Sequence, residues 1–176
     1  MRHTLELIDK ATPSLRKPVA EDGAEIWKLI KACKPLDENS MYCNLIQCDH
    51  FRDTCVLAEL GGKPAGWVSA YVMPNDPSTL FVWQVAVSSE ARGMGLGTLM
   101  LKGLLQRDVC KDVERIQTTI TRSNAASWKL FRKFAKQQDA RLSSQAYFGE
   151  ALHFQGKHNT EYMVTIDLAE EMDKAA

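Results

Sequence analysis

The sequence carries no excess charge of either sign: 22 Lys and Arg stand against 22 Asp and Glu. A nucleic-acid binder draws much of its affinity from a basic surplus, and none is present, so a small-molecule partner is expected and nucleic acid is not. No stretch approaches the ~18 consecutive apolar residues of a membrane span. Residues 1–10 (MRHTLELIDK) lack the apolar core of a signal peptide, and the five cysteines lack the paired CxxC spacing of a zinc site. These absences point to a cytoplasmic protein with reduced thiols, no membrane contact and no metal. Cys43, Cys48, His50 and Cys55 accordingly read as packing residues on a short helix and the strand after it. Repeats and Gly/Ser linkers are missing too. The 176 residues are expected to form a single domain over 1–176, with a core from about 15 to 168 and polar termini.

What is present is clear punctuation. Residues 15–18 read as a short strand. Asp22 stands where a helix cap belongs, ahead of Ile26, Leu29, Ile30 and Cys33 at helical spacing, and Pro35 ends that helix. Residues 35–51 (PLDENSMYCNLIQCDHF) run from a polar loop into a second short helix. Residues 54–60 and 64–72 flank Gly61-Gly62 as a hairpin. Residues 79–87 (TLFVWQVAV) are almost continuously apolar, which predicts a strand buried on both faces. Leu96, Leu99, Met100, Gly103 and Leu104 share one face of a helix over about 95–108. Residues 115–121 (RIQTTIT) alternate as a strand, and Ser123 or Asn124 opens a helix carrying Trp128, Phe131 and Ala135. A loop over 147–160 and a last strand over 162–168 complete the chain. A hairpin-fed sheet with helices interposed late is the order of a mixed α/β (α+β) domain.

The apolar strand runs straight into ARGMGLG, residues 91–97. A strand, a glycine-rich turn and a helix start make an anion site, because free backbone N–H groups and the helix dipole both favour phosphate. Glycine tolerates unusual dihedrals there and lets the backbone approach the ligand without a Cβ between them. The dinucleotide fingerprint GxGxxG does not fit, since the glycines read GxGxG with Thr98 after them. A P-loop does not fit either, since no lysine follows Gly97.

The spacing Arg92-x-x-Gly95-x-Gly97 matches [RQ]xxGx[GA]. Asn124 with Leu130-Phe131 follows N-x-x-[AS]-x-x-L-[YF]. With the strand before and the helix after, the chain resembles the GNAT N-acetyltransferases from about residue 15 to 168. The resemblance implies a central mixed, mostly antiparallel sheet, splayed at an acetyl-CoA site and flanked by helices, in a homodimer. It assigns the backbone of Val85 and Val87 to the pantetheine amides. It assigns Arg92 and the N–H groups of Gly93, Met94, Gly95, Leu96, Gly97 and Thr98 to the pyrophosphate, and Asn124 to the cofactor from the next helix.

Segments outside those motifs narrow the resemblance. PLDENSMYC, HFRDTCVLAE, GWVSAYVMP, DPSTLFVWQVAV and TRSNAAS are similar to the diaminobutyrate acetyltransferases of ectoine biosynthesis. That implies transfer to the γ-amine of L-2,4-diaminobutyrate. The residues suit such an acceptor, a small zwitterion with two ammonium groups and one carboxylate. Asp37, Glu38, Asn39 and Tyr42 offer acids and hydrogen-bonding groups. Trp83 lies two residues before Val85, hence on the same face of a regular strand, where it can wall a pocket and meet an ammonium through its ring. His158 and Glu161 resemble a family H-x-x-E element, with His153 as a neighbour that could be confused for it. Arg122 is the candidate for the acceptor carboxylate. Tyr147, Phe148 and Phe154 suit an interface or a substrate lid. The competing readings are a GNAT enzyme for a polyamine or another diamino acid, and a non-catalytic acyl-CoA-binding domain.

The chemistry is attack of a neutral amine on a thioester. An alkyl ammonium titrates near ~10.4, so about one amine in a thousand is ready at neutral pH and a base is required. Glu161, Asp37 and His158 are the candidates, directly or through water. The Val85 N–H is assigned by resemblance to the developing oxyanion. Phe131 stands where many relatives carry a tyrosine that can protonate the leaving thiolate. A thiol of pKa ~8.5 leaves without a dedicated acid, or Tyr42 or a water serves. A covalent cysteine route is not expected, since no cysteine has a base beside it in sequence.

Overall fold

The computed structural model describes residues 12–168, and the polar termini expected beyond them lie outside the described residues. Seven strands, β1 (Ser14–Arg16), β2 (Val56–Leu60), β3 (Lys63–Met73), β4 (Asp76–Val87), β5 (Arg115–Thr121), β6 (Arg141–Phe148) and β7 (Glu161–Asp167), form one sheet in the order β1-β2-β3-β4-β5-β7-β6. All neighbours pair antiparallel except β4 and β5, which run parallel. The helices are α1 (Gly23–Ala32), α2 (Met41–His50), α3 (Leu96–Leu105) and α4 (Ala125–Gln137). Asp22 precedes α1 as expected but does not cap it. Its carboxylate accepts from the Val19 N–H at 2.8 Å and from Arg16 at 2.7 and 2.8 Å.

Two cores form, one on each side of the sheet. Leu96, Met100, Leu101 and Leu104 of α3 and Phe131, Phe134 and Ala135 of α4 pack with Val56 and Ala58 of β2. Ile26, Leu29 and Ile30 of α1 and Cys48 of α2 pack with Cys55, Leu57 and Trp67. Phe134 is fully buried, so Phe134→Ala is expected to cost about 3–5 kcal/mol, read as a lower denaturant midpoint. Cys48 and Cys55 are fully buried in the α1/α2 core, and burial pushes each thiol up to about 12.

Strand β4 differs from the double-sided burial that its apolar run predicts. Leu80 and Val82 are buried in the α3/α4 core, while Trp83 is 51% exposed. The register explains it. Ser69 pairs with Gln84 and Ala70 with Val82, so Trp83 is an extra residue bulging from the ladder. The bulge inverts the alternation: beyond it Val85 and Val87 pack toward the α3/α4 core and Ala86 joins the α1/α2 core. Trp83 and Val85 nevertheless line one cavity, although Trp83 stands outside the ladder.

The parallel pairing of β4 with β5 is short. It covers Thr79–Arg115, Leu80–Ile116 and Phe81–Gln117 and then stops, although β4 continues to Val87 and β5 to Thr121. Beyond Gln117, β5 stays paired with β7 alone. The sheet is thus splayed in its middle, as the resemblance implies. One strand is absent from the sequence reading. β6 lies at the sheet edge, mostly exposed, and residues 141–148 (RLSSQAYF) carry no hydrophobic alternation to reveal it. Tyr147 and Phe148 belong to this strand rather than to the loop after it.

Candidate active site

A cavity of about 220 Å³ opens where β4 and β5 part. It brings together Asp37, Asn39, Trp83, Val85, Asn124, His158 and Glu161 from four separate regions of the chain. Tyr42 does not join them; it is 70% exposed in the first turn of α2. Arg122 also lies elsewhere, with its guanidinium 4.8 Å from the Tyr162 ring, in a groove shared with Trp128 and Arg132.

His158 is held between two acids. Its Nδ1 lies 2.8 Å from the Asn159 carbonyl oxygen, which can only accept, so Nδ1 carries a hydrogen. Its Nε2 faces Asp37 Oδ2 at 3.5 Å and Glu161 Oε1 at 3.9 Å. A second proton on Nε2 is therefore favoured. The Asn159 hydrogen bond first, and then the two carboxylates, raise the imidazole above its ordinary value against the opposing effect of burial. The Phe154 ring packs against the imidazole, with centroids 4.6 Å apart.

Glu161 is the first residue of β7 rather than part of the loop before it, and it pairs with Thr121 of β5. That anchoring draws its side chain down to 17% exposure, and Oε2 is buried with no hydrogen-bond partner. Burial raises its pKa above the ordinary value; His158 and the Thr119 hydroxyl oppose the rise and Asp37 adds to it. Asp37, by contrast, is 84% exposed at the mouth. Two carboxylates in one cleft with different burial are poised for different tasks.

The loop bearing Asp37 is tied down by a residue outside the sequence reading. Gln84 Nε2 donates to the Asp37 carbonyl at 2.9 Å, and Asn39 Nδ2 donates to Gln84 Oε1 at 3.1 Å. Trp27 Nε1 donates to the Asn39 carbonyl at 3.0 Å. Gln84 was visible as the one amide inside TLFVWQVAV, whose only other polar residue is Thr79. Thr118, Thr119 and Thr121 of β5 and Ser127 of α4 also line the cavity. The threonine-rich run RIQTTIT was their signal.

At the end of β4 the chain turns through ARGMGLG. Gly93 and Gly95 take φ of 80° and 76°, the left-handed region that glycine enters without strain. Gly95 is the N-cap of α3 and offers no side chain, so the first amides of α3 are left open to an anion. Thr98 Oγ1 donates to the Gly95 carbonyl at 2.9 Å. The bareness of Gly97 has a second use: a Cβ there would lie 2.8 Å from Leu130 Cδ1, so its absence lets α4 approach α3. The exposed Arg92 and Met94 flank the turn. Positive-φ glycines, an uncapped helix end and a parted pair of strands fit a long phosphate-bearing thioester. At this same end of β4, the Val87 carbonyl already accepts from the Cys33 thiol at 3.3 Å.

Asn124 is the N-cap of α4; its Oδ1 accepts from the Ser127 N–H at 3.1 Å, and its Nδ2 remains for the cleft. Asn124→Ala is expected to cost about 1 kcal/mol of stability. Asn124→Asp restores the cap, so its melting temperature should stay near the wild-type value while acetyl-CoA binding weakens. Equal acetyl-CoA affinity in the two proteins would leave Asn124 with the cap alone. Phe131 lines the same cavity, 3% exposed, and places a hydrocarbon ring where a phenol would stand in many relatives.

Comparison with known proteins agrees with this geometry. The profile of the acetyltransferase (GNAT) family matches residues 23–135. The L-2,4-diaminobutyric acid acetyltransferase of Methylotuvimicrobium alcaliphilum is 50% identical over 153 residues, 87% of this chain and 89% of that protein. The enzyme of the same name from Vibrio cholerae is 48% identical over 87% and 88%. Among solved structures, the diaminobutyrate acetyltransferase EctA from Paenibacillus lautus, in complex with its substrate L-2,4-diaminobutyric acid and coenzyme A, superposes with a TM-score of 0.86. It is 36% identical, and the match covers 93% of this chain and 99% of that one. The splayed seven-stranded sheet, the glycine turn that opens α3 and these matches place the chain in the GNAT acetyltransferase family, among the L-2,4-diaminobutyric acid acetyltransferases.

Proposed function

We propose that this chain transfers an acetyl group from acetyl-CoA to the γ-amine of L-2,4-diaminobutyrate, giving N-γ-acetyl-L-2,4-diaminobutyrate for ectoine biosynthesis. The observation that carries the reading is Glu161: a buried carboxylate oxygen without a partner, in a cleft where β4 and β5 part. A buried acceptor left unpaired is costly, and an ammonium hydrogen supplies what it lacks. The test is CoA release by the purified protein with diaminobutyrate, with the product assigned by NMR. Inactivity on diaminobutyrate with turnover of spermidine would replace the acceptor, and tight CoA binding without turnover on any amine would make the domain non-catalytic.

Acetyl-CoA supplies the acetyl thioester when bound. Gly93 to Thr98, with Arg92, hold the pyrophosphate through backbone N–H groups, and Asn124 meets the cofactor from α4. The backbone of Val85 and Val87 holds the pantetheine arm, and the Val85 N–H donates to the oxyanion. Asp37 holds an ammonium group at the mouth, and Trp83 walls the cleft beside it. Asn39 contributes its amide. Glu161 takes the γ-ammonium proton, its raised pKa lying closer to neutrality than that of an ordinary carboxylate. With Phe131 unable to donate, the thiolate leaves as such or takes a proton from water.

His158 is assigned the part of a resident cation rather than that of the base. Its imidazolium pairs with the same acids that the substrate ammonium needs. As pH rises through its raised pKa, above the ordinary 6.5, the imidazole loses its charge and frees them. The KM for diaminobutyrate is therefore expected to fall as pH rises through that range, and His158→Gln to flatten the dependence. An unchanged KM profile in the variant would remove His158 from acceptor binding.

The same reading makes the chain one cytoplasmic domain that works as a homodimer. No helix among the described residues is long and apolar enough to cross a membrane. The edge strand β6, with Tyr147 and Phe148 45% and 39% exposed, supports pairing with a second copy. Sedimentation equilibrium checks it.

A further inference from the structure

We infer that Gln84 is a positioning residue that sets which amine of the acceptor is acetylated. The inference rests on the reading of the cleft as a diaminobutyrate site and goes beyond it. The acceptor carries two primary amines in a 1,3 relation. An α-amine titrates near ~8 and an alkyl amine near ~10.4, so at neutral pH roughly a hundredfold more α-amine is free base. Availability alone therefore favours the Nα product, and acetylation at Nγ has to be enforced by position.

The backbone at Asp37 is tied to the sheet through one side chain, while its carboxylate also faces His158. Among the described residues, both hydrogen bonds that join the loop over 34–40 to the sheet run through Gln84: its Nε2 to the Asp37 carbonyl at 2.9 Å, and its Oε1 from Asn39 Nδ2 at 3.1 Å. The orientation of the amide is fixed by its partners, because a carbonyl can only accept. Other side-chain ties of the loop run from Trp27 Nε1 of α1 to the Asn39 carbonyl, from Lys34 to Glu38 within the loop, and from His158 Nε2 to the Asp37 carboxylate at 3.5 Å, none of which joins the loop backbone to the sheet. Asp37 is itself highly exposed, so packing does not hold it in place.

Gln84 reaches that loop because of the bulge. The extra residue at Trp83 lets Gln84 pair opposite Ser69 and leaves it 9% exposed, between Trp83 and Val85. One residue thus couples the loop that bears the ammonium-binding acid to the strand whose next N–H is assigned to the oxyanion. The distance from ammonium anchor to reacting carbon selects which amine arrives. Without the coupling, Asp37 and Asn39 move together relative to β4, and the more available α-amine competes.

The experiment uses full-length Gln84→Met, which keeps length and volume and removes both hydrogen bonds, and Gln84→Asn, which keeps a buried amide too short to span both partners. The wild-type protein is assayed beside them with saturating acetyl-CoA at neutral pH, and the Nα and Nγ products are separated by NMR. The expected result is an Nγ rate about 10²-fold lower, the loss that misplacement by ~1 Å produces, together with the appearance of the Nα isomer. Acetyl-CoA affinity should stay at the wild-type value, which a general loss of structure would not allow. Exclusive formation of the Nγ isomer by the folded variants, at whatever rate, would overturn the inference. Failure of the wild-type protein to acetylate diaminobutyrate would instead overturn the proposed function.

Discussion

Glu161→Gln is expected to lower kcat by about 10²- to 10⁴-fold, the range for losing a positioned general base. Glutamine matches glutamate in shape, keeps a hydrogen-bonding oxygen and cannot accept the proton. The variant should therefore keep its acetyl-CoA affinity and its fold. The pH profile separates this role from mere binding. Burial holds the Glu161 carboxyl above the ordinary 4.5, and the proposed chemistry needs it deprotonated. Wild-type kcat should accordingly fall as pH drops through that raised value, on a limb displaced upward from the usual carboxylate range. In the variant the limb should vanish and leave a low, flat rate. Wild-type kcat in Glu161→Gln would sink the assignment and leave Asp37 or a water as the base.

Gly95→Val should raise the acetyl-CoA KM by about 10- to 10²-fold, the equivalent of losing one or two hydrogen bonds to a charged group at ~1.5–3 kcal/mol in total. Space is not the obstacle, since a Cβ at Gly95 would meet only Thr98 Oγ1, at 3.9 Å. The obstacle is the backbone: φ is 76° at the N-cap of α3, and a β-branched residue there is strongly disfavoured. The turn would relax and swing the open amides of α3 away from the phosphates. Gly97→Ala is the contrast. Its new Cβ would press on the tip of Leu130 inside the protein, so it should perturb stability and leave cofactor affinity near the wild-type value. Unchanged affinity by calorimetry in Gly95→Val would remove the turn from the cofactor site.

Gly93, Gly95 and Gly97 also show how far a sequence can be read. Their spacing and the strand before them identified the turn correctly, because a motif of this kind is built from local backbone geometry. That Gly97 also serves helix packing depended on Leu130, 33 positions away in the chain. The residues assigned to the acceptor were legible for a different reason. Asp37, Asn39, Trp83, His158 and Glu161 sit in segments that resemble one group of enzymes, and the fold does gather them in one cleft. Tyr42 came from the same kind of segment and lies outside, since the first turn of α2 directs it to solvent.

The sequence by itself determined the order of strands and helices around the glycine turn, the phosphate-type turn and the chemical class of the acceptor site. The order and the turn follow from periodicity and dihedral preference, and the acceptor class from segments that resemble one group of enzymes. Only the tertiary structure decided the rest. Pairing across the sheet created the edge strand β6 that no apolar pattern announces, and one unmatched residue at Trp83 inverted the inside and outside of β4. That inversion turned Gln84 toward the loop of Asp37, while the pairing of β5 with β7 drew Glu161 into burial and His158 between two acids. Register and burial arise from contacts between segments far apart in sequence, and a pKa follows from burial and neighbours rather than from residue type.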